Sequence, residues 1–174
     1  MKKAASIFLC ANMTQRDVRL LLQWMENPAV TQYLNEDSTV TTHLRQMECS
    51  VPEPMLTYHF NRRSRFFMAC TREGEAIGFV KLREQMTGTY EIVYAIGDEA
   101  LWGRGYGTDA VRSALATAFL KWRAGKVIAK IYPENLRSVR SVSACGFHCA
   151  ERGERLHRFE ITMKEYLNLS LIHI

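Results

Sequence analysis

The sequence predicts an α/β chain in which helices are layered on a mixed, mostly antiparallel sheet. Three observations predict it. Between residues 65 and 97, three segments rich in β-branched and aromatic residues, RFFMACT, AIGFVKLRE and TYEIVYAIG, are parted only by REGE and by Gln85 with the turn MTG, as meander strands are. Beyond them the pattern becomes strand, glycine loop, helix, strand, helix, strand. A length of 174 residues suits one domain that buries its core without disulfides or a structural metal.

Each element has its own signal. SIFLC reads as a first strand, with Ile7 and Leu9 facing one way. The start MKKAASIFLCANM imitates a secretory leader, but only about eight residues are apolar and Leu9, not a small residue, precedes Cys10. In TQRDVRLLLQWM, Thr14 stands as N-cap and Asp17 in the capping-box position, ahead of Val18, Leu21, Leu22 and Met25 at helical spacing. AVTQYL reads as a short helical turn, NEDST as a loop, and VTTHLRQMECS as a helix closed by Pro52 and Pro54. After the meander, TDAVRSALATAFLKW is a helix whose Ala110, Val111, Ala114, Leu115, Ala118 and Phe119 form one apolar stripe, with Gly125 closing it. KVIAKIY is a strand, and ENLRSVRSVSAC a helix starting near Asn135 and ended by Gly146. LHRFEITMKEYL alternates as a strand does. The expected organisation is one domain over residues 1–168 and a C-terminal tail over 169–174.

Composition excludes several functions. No apolar run approaches the ~20 residues a bilayer span requires, so no membrane association is expected. Five cysteines without framework spacing fit reduced thiols and a cytoplasmic location. Cys145 and Cys149 with His148 and His157 lack a second ligand pair at zinc-finger spacing, so no metal is expected. The net charge of +5 is spread over scattered arginines rather than a stripe, which argues against nucleic acid and suits a polyphosphorylated small ligand.

The strongest local signal is EALWGRGYGTDAVRSALATAF. Gly103, Gly105 and Gly107 let the backbone approach a ligand, and the first-turn amides of the following helix point at the same place, the elements of a phosphate site. A Walker loop would need Lys-Ser/Thr after its last glycine, whereas Thr108 and Asp109 follow Gly107. Gly105, Gly107 and Ala110 satisfy the dinucleotide fingerprint, but the preceding meander and the lack of an acidic residue at the next strand's end weigh against it. A glycine-rich turn with no ligand is the remaining alternative.

The stretch YEIVYAIGDEALWGRGYGTDAVRSAL, followed by IYPENLRSVRSVSACGF, resembles the GNAT-type acetyl-CoA-dependent N-acetyltransferases, most closely the branch around ribosomal-protein N-terminal acetyltransferases. The family's Q/R-x-x-G-x-G/A motif is matched by Trp102 to Gly107, with Trp102 where Gln or Arg is usual. Asn135, Ser138, Gly146 and Phe147 match a second motif, N-x-x-S ending in G-F. The resemblance implies a GNAT fold whose sheet splays to admit acetyl-CoA as co-substrate. It places the pantetheine arm against Tyr94, Ala95 and Ile96, the pyrophosphate in the cradle Trp102, Gly103, Arg104, Gly105, Tyr106, Gly107 and Thr108, and further contacts at Asn135, Arg137 and Arg140. It implies Glu91 as general base and Ser138 as proton donor to the thiolate, because Val142 stands where many members carry a catalytic tyrosine. Glu36, Asp37 and Glu99 are candidates to attract an amine, and the protein is expected as monomer or homodimer. The expected reaction is direct transfer of acetyl to a primary amine. The competing reading is a non-catalytic acyl-CoA sensor on the same fold, towards which the missing Gln/Arg at Trp102 leans.

Overall fold

The computed structural model describes residues 6–34, 36 and 38–172. Helix α1 (Gln15–Met25) begins where its capping box places it: the Thr14 hydroxyl accepts from the Asp17 N–H, and the Asp17 carboxylate accepts from the Thr14 N–H. It buries Val18, Leu21, Leu22 and Trp24. α2 (Pro28–Thr31) is one turn capped by Asn27, and α3 (Val40–Ser50) begins just after the expected NEDST loop, of which Asn35 and Asp37 lie outside the described residues. Pro52 and Pro54 do more than close α3. They open α4 (Glu53–Phe60), a helix the sequence pattern does not announce, because a proline in a first turn gives up no helical hydrogen bond.

Seven strands form one sheet in the order β1-β2-β3-β4-β5-β7-β6: β1 (Phe8–Cys10), β2 (Arg65–Cys70), β3 (Ala76–Met86), β4 (Thr89–Ile96), β5 (Lys126–Ile131), β6 (His148–Arg152) and β7 (His157–Thr162). The expected meander is β2-β3-β4. Every neighbouring pair is antiparallel except β4 with β5. The mixed, mostly antiparallel α/β architecture expected from the sequence is therefore the one observed.

Alternation along the strands divides the core in two. Ile92 and Ile96 of β4 pack with Val111, Leu115 and Phe119 of the helical segment that starts at α5 (Tyr106–Ala116) and continues through a π-helical turn, Thr117–Lys121. All six residues of the expected apolar stripe are buried there. On the other face, Phe66, Met68 and Phe79 pack with Leu21, Leu44 and Leu56 of α1, α3 and α4. α6 (Leu136–Ala144) lies beside α5, and its Asn135 N-cap accepts from the Ser138 N–H.

The last segment departs from the expected strand. β7 ends at Thr162, and Met163–Ile172 form a helix, α7. The physical reason is a second capping box: the Thr162 N–H donates to Glu165 Oε2, and the Glu165 N–H to Thr162 Oγ1. The helix runs through position 168. Its Leu169 closes over Gly146, where an added Cβ would lie 2.2 Å from Leu169 Cδ1.

Candidate active site

β4 and β5 pair over three rungs only, Thr89 with Lys126, Tyr90 with Val127 and Glu91 with Ile128. Beyond that rung they part, while β5 stays paired with β7 as far as Ile131. The opening is a groove of about 500 Å3, walled by Ile92–Ile96 of β4, by Ala129–Ile131 of β5 and by α6, with Tyr33 and Leu34 across its mouth. Its charged lining is Lys130, Arg137 and Arg140, with no carboxylate among the described residues, so a polyanion is the ligand it complements.

One end of the groove is the glycine loop. Gly103 (φ +77°) and Gly105 (φ +87°) hold left-handed backbone, and a Cβ built on either meets nothing within 4 Å. The protein needs these glycines for conformation, not for room inside the fold. Gly105 is the N-cap of α5, and the first helical bond runs from the Asp109 N–H to the Gly105 carbonyl at 3.0 Å. The amides of Tyr106, Gly107 and Thr108 are left without a helical acceptor, at the positive end of the helix dipole.

Trp102 closes this end differently from a Gln or Arg. Its Nε1–H donates to the Ile96 carbonyl at 2.8 Å, pinning the loop to the end of β4, and its ring touches both halves of the core. The Arg137 guanidinium lies 3.4 Å from the ring centroid, held at the groove by cation–π attraction. One lone pair of Ile96 is thus already used. Arg104 is exposed and does not line the groove.

Tyr94 stands in the groove wall with its hydroxyl buried and without a partner at hydrogen-bonding geometry. Burial pushes the phenol above its ordinary value; the nearby Ser138 and Ser141 hydroxyls, which favour the ionised form, offset this only in part. An unpartnered buried hydroxyl facing a groove is a group that a bound ligand satisfies. Asn135 fixes Ser138 twice: its Oδ1 accepts from the Ser138 N–H at 3.4 Å and its Nδ2 donates to Ser138 Oγ at 3.1 Å. With that acceptor site filled, the Ser138 O–H is directed elsewhere. Val142 is fully buried core.

Glu91 sits apart. It is 3 % exposed, on the opposite face of β4 from Tyr94, and its carboxylate does not line the groove. Gln85 Nε2 donates to its Oε2 at 2.9 Å, Arg83 at 3.4 Å, and Lys130 Nζ lies 3.6 Å away. The structure thus brings Tyr94, Ala95, Ile96, Trp102, Gly103, Gly105, Tyr106, Gly107, Thr108, Asn135, Ser138 and Arg140 to one groove. Of the acids expected to draw an amine, Glu36 pairs with Lys81, Glu99 is exposed, and Asp37 lies outside the described residues. Lys130 and Ser141 line the groove without having stood out in the sequence; the signal for Lys130 was its outward place in the alternation of KVIAKI. Among the described residues no three metal-ligating side chains cluster, and no helix is long and apolar enough to cross a membrane.

The acetyltransferase (GNAT) domain matches residues 9–148. The chain belongs to the GNAT family of N-acetyltransferases. Among relatives, it is 28% identical over 138 residues to the uncharacterized N-acetyltransferase p20 of Bacillus licheniformis, a match covering 78% of this chain and 75% of that one. Among solved GNAT folds, it superposes on aminoglycoside acetyltransferase AAC(6')-Ib in complex with coenzyme A, with a TM-score of 0.76 at 19% identity, covering 95% and 99% of the two chains. It also superposes on a chimera of spermidine N-acetyltransferase SpeG from Vibrio cholerae and hSSAT, with a TM-score of 0.73 at 19% identity, covering 94% and 99%. These two likenesses speak for the fold.

Proposed function

We propose that this GNAT enzyme moves acetyl from acetyl-CoA to a primary amine by direct attack in a ternary complex. The observation that carries the reading is the parting of β4 from β5 beyond Glu91 and Ile128, which opens one groove onto the free amides of α5. When bound, acetyl-CoA supplies an activated thioester. Tyr106, Gly107 and Thr108 offer their N–H groups to its pyrophosphate, with Arg137 and Arg140 as counter-charges, and Ala95 and Ile96 offer backbone groups to its pantetheine arm. That arm gives the Tyr94 hydroxyl the partner it lacks.

Transfer requires the acceptor nitrogen to shed two protons as the C–N bond forms and the C–S bond breaks; one ends on sulfur, the other in solvent. Ser138, oriented by Asn135, protonates the leaving sulfur. Glu91 takes the ammonium proton through water, since its carboxylate stands behind the groove wall. The match of WGRGYGTDA to the ribosomal-protein N-terminal acetyltransferase branch supports a protein or peptide N-terminus, or a small-molecule amine, as acceptor. One chain supplies all the groove residues named.

The acyl-CoA sensor reading draws on one observation, the three cationic or amide donors that already occupy Glu91. Free-thiol release from acetyl-CoA across an amine and peptide panel, beside calorimetric titration of coenzyme A, separates the two. Acceptor-dependent thiol is the expected result, and micromolar coenzyme binding with no such thiol from any amine overturns the transferase reading.

A further inference from the structure

A second cavity, of about 730 Å3, lies between α1, α3, α4 and the strands β2 and β3, within the size range of small-molecule sites. Its interior is apolar, with Leu21, Met25, Leu44, Met47, Phe66 and Phe79 in its walls. Among the described residues its ionisable lining is one-sided: His43, His59, Arg62, Arg63 and Lys81, with Glu36 as the one carboxylate. Lining residues of the cavity and of the groove are neighbours in the chain and in the sheet. Leu34 lines the groove and Glu36, two residues on, lines the cavity; Val93 lines the groove and its register partner on β3, Lys81, lines the cavity. Glu36 and Lys81, the cavity residues next to the groove's lining, form a largely buried ion pair.

We infer that this cavity holds the acceptor and that the acceptor is an α-amino acid with a large apolar side chain; the inference rests on the acetyl-transfer reading above. An ammonium and a carboxylate on neighbouring atoms match the two halves of the Glu36–Lys81 pair, the ammonium on Glu36 and the carboxylate on Lys81. That places the amine at the groove side and the apolar side chain among Met47, Phe66 and Phe79. A polycation is poorly matched: it would bring several ammonium groups to a lining whose described residues offer Glu36 against His43, His59, Lys81, Arg62 and Arg63. The acceptor class therefore differs from those named in the aminoglycoside and spermidine acetyltransferase structures.

The test measures thiol release with acetyl-CoA and four amines: L-phenylalanine, L-phenylalaninamide, glycine and spermidine. Phenylalanine is expected to exceed glycine by roughly 10–100-fold in kcat/KM, the worth of burying its ring. It is expected to exceed its amide by a similar factor, the worth of a charge-assisted bond. Lys81→Gln erases the preference over the amide and keeps the preference over glycine. Spermidine outrunning phenylalanine, or Lys81→Gln slowing acid and amide alike, overturns the inference. Phenylalanine inert while another amine releases thiol overturns it alone. No thiol from any amine on an enzyme that binds coenzyme A overturns the transferase reading as well. The wild-type comparisons need no variant, so a folding defect in Lys81→Gln leaves them decisive.

Discussion

Gly105 and Gly74 make a matched pair that separates the cost of a backbone from the needs of a ligand. Gly105 sits at φ +87° and Gly74, in the β2–β3 turn, at φ +84°, and a Cβ at either meets nothing within 4 Å. Alanine at both positions therefore carries the same penalty, the ~1–2 kcal/mol of left-handed backbone in an L-residue. For a chain of this size each kcal/mol lowers Tm by roughly 2–4 °C, so Gly74→Ala and Gly105→Ala should melt within a degree or two of each other. Their coenzyme A affinities should differ. Gly74→Ala should leave Kd unchanged, whereas Gly105→Glu puts a carboxylate beside the proposed pyrophosphate. At about 5 Å and an effective dielectric near 20, one such like-charge contact costs about 3 kcal/mol, roughly a hundredfold in Kd. Calorimetric titration of coenzyme A alongside thermal melts reads both quantities. A Gly105→Glu protein that melts like Gly105→Ala yet binds coenzyme A within threefold of wild type would show that the loop is not the phosphate cradle.

Burial holds the Cys145 thiol up at about 11 and, with help from Cys10, the Cys70 thiol at about 12, both from 9.0. Raised thiols favour the fold while protonated, so their stabilisation is complete below pH 9 and is lost as pH rises towards 11 for Cys145 and towards 12 for Cys70, by about 1 kcal/mol per thiol between pH 8 and 10. Urea midpoints at those two pH values should fall in the wild type and fall less in Cys145→Ala; equal slopes would count against a buried thiol. Trp102→Phe keeps the surface under Arg137 but gives up the bond to the Ile96 carbonyl, so it should cost about 0.5–1.5 kcal/mol in stability with KM for acetyl-CoA within threefold. Trp102→Ala, which also releases Arg137, should raise that KM several-fold further at similar kcat; identical KM values in the two variants would detach Arg137 from coenzyme binding. Glu91→Gln should lower kcat by about 10²–10⁴ if water carries the proton to it. A normal pH–rate profile in that variant would remove Glu91 from the mechanism.

Legibility in the sequence followed how local the deciding interaction was. The capping box of Thr14 and Asp17, the stripe of α5 and the turns at Gly74 and Gly88 are made by residues a few positions apart, and each was readable. The box of Thr162 and Glu165 is just as local. It was hidden because HRFEIT alternates into it, so the strand pattern overran the start of α7. α4 was hidden because Pro52 and Pro54 signal both the end of one helix and the first turn of another. The splay of β4 from β5 was legible only through the family resemblance, and the partners of Glu91 were not legible at all. The alternation of TYEIVYAI by itself does not mark the rung at which pairing with β5 stops, and it does not say that Arg83, Gln85 and Lys130, from two different strands, converge on Glu91.

Trp102 shows how an unusual residue at a motif's first position is compatible with the site. A Gln or Arg there would offer a polar head directly to the phosphate end. Trp102 offers none, since its one polar hydrogen is spent on the Ile96 carbonyl. What it does supply is a flat surface at the right place. Arg137, in the first turn of α6, lies on that surface at 3.4 Å, so the charge arrives from a neighbouring element instead of from the loop itself. The arrangement has a structural consequence a glutamine would not. It couples the end of β4, the glycine loop and α6 through one ring, and all three line the groove opened by the parting of β4 from β5.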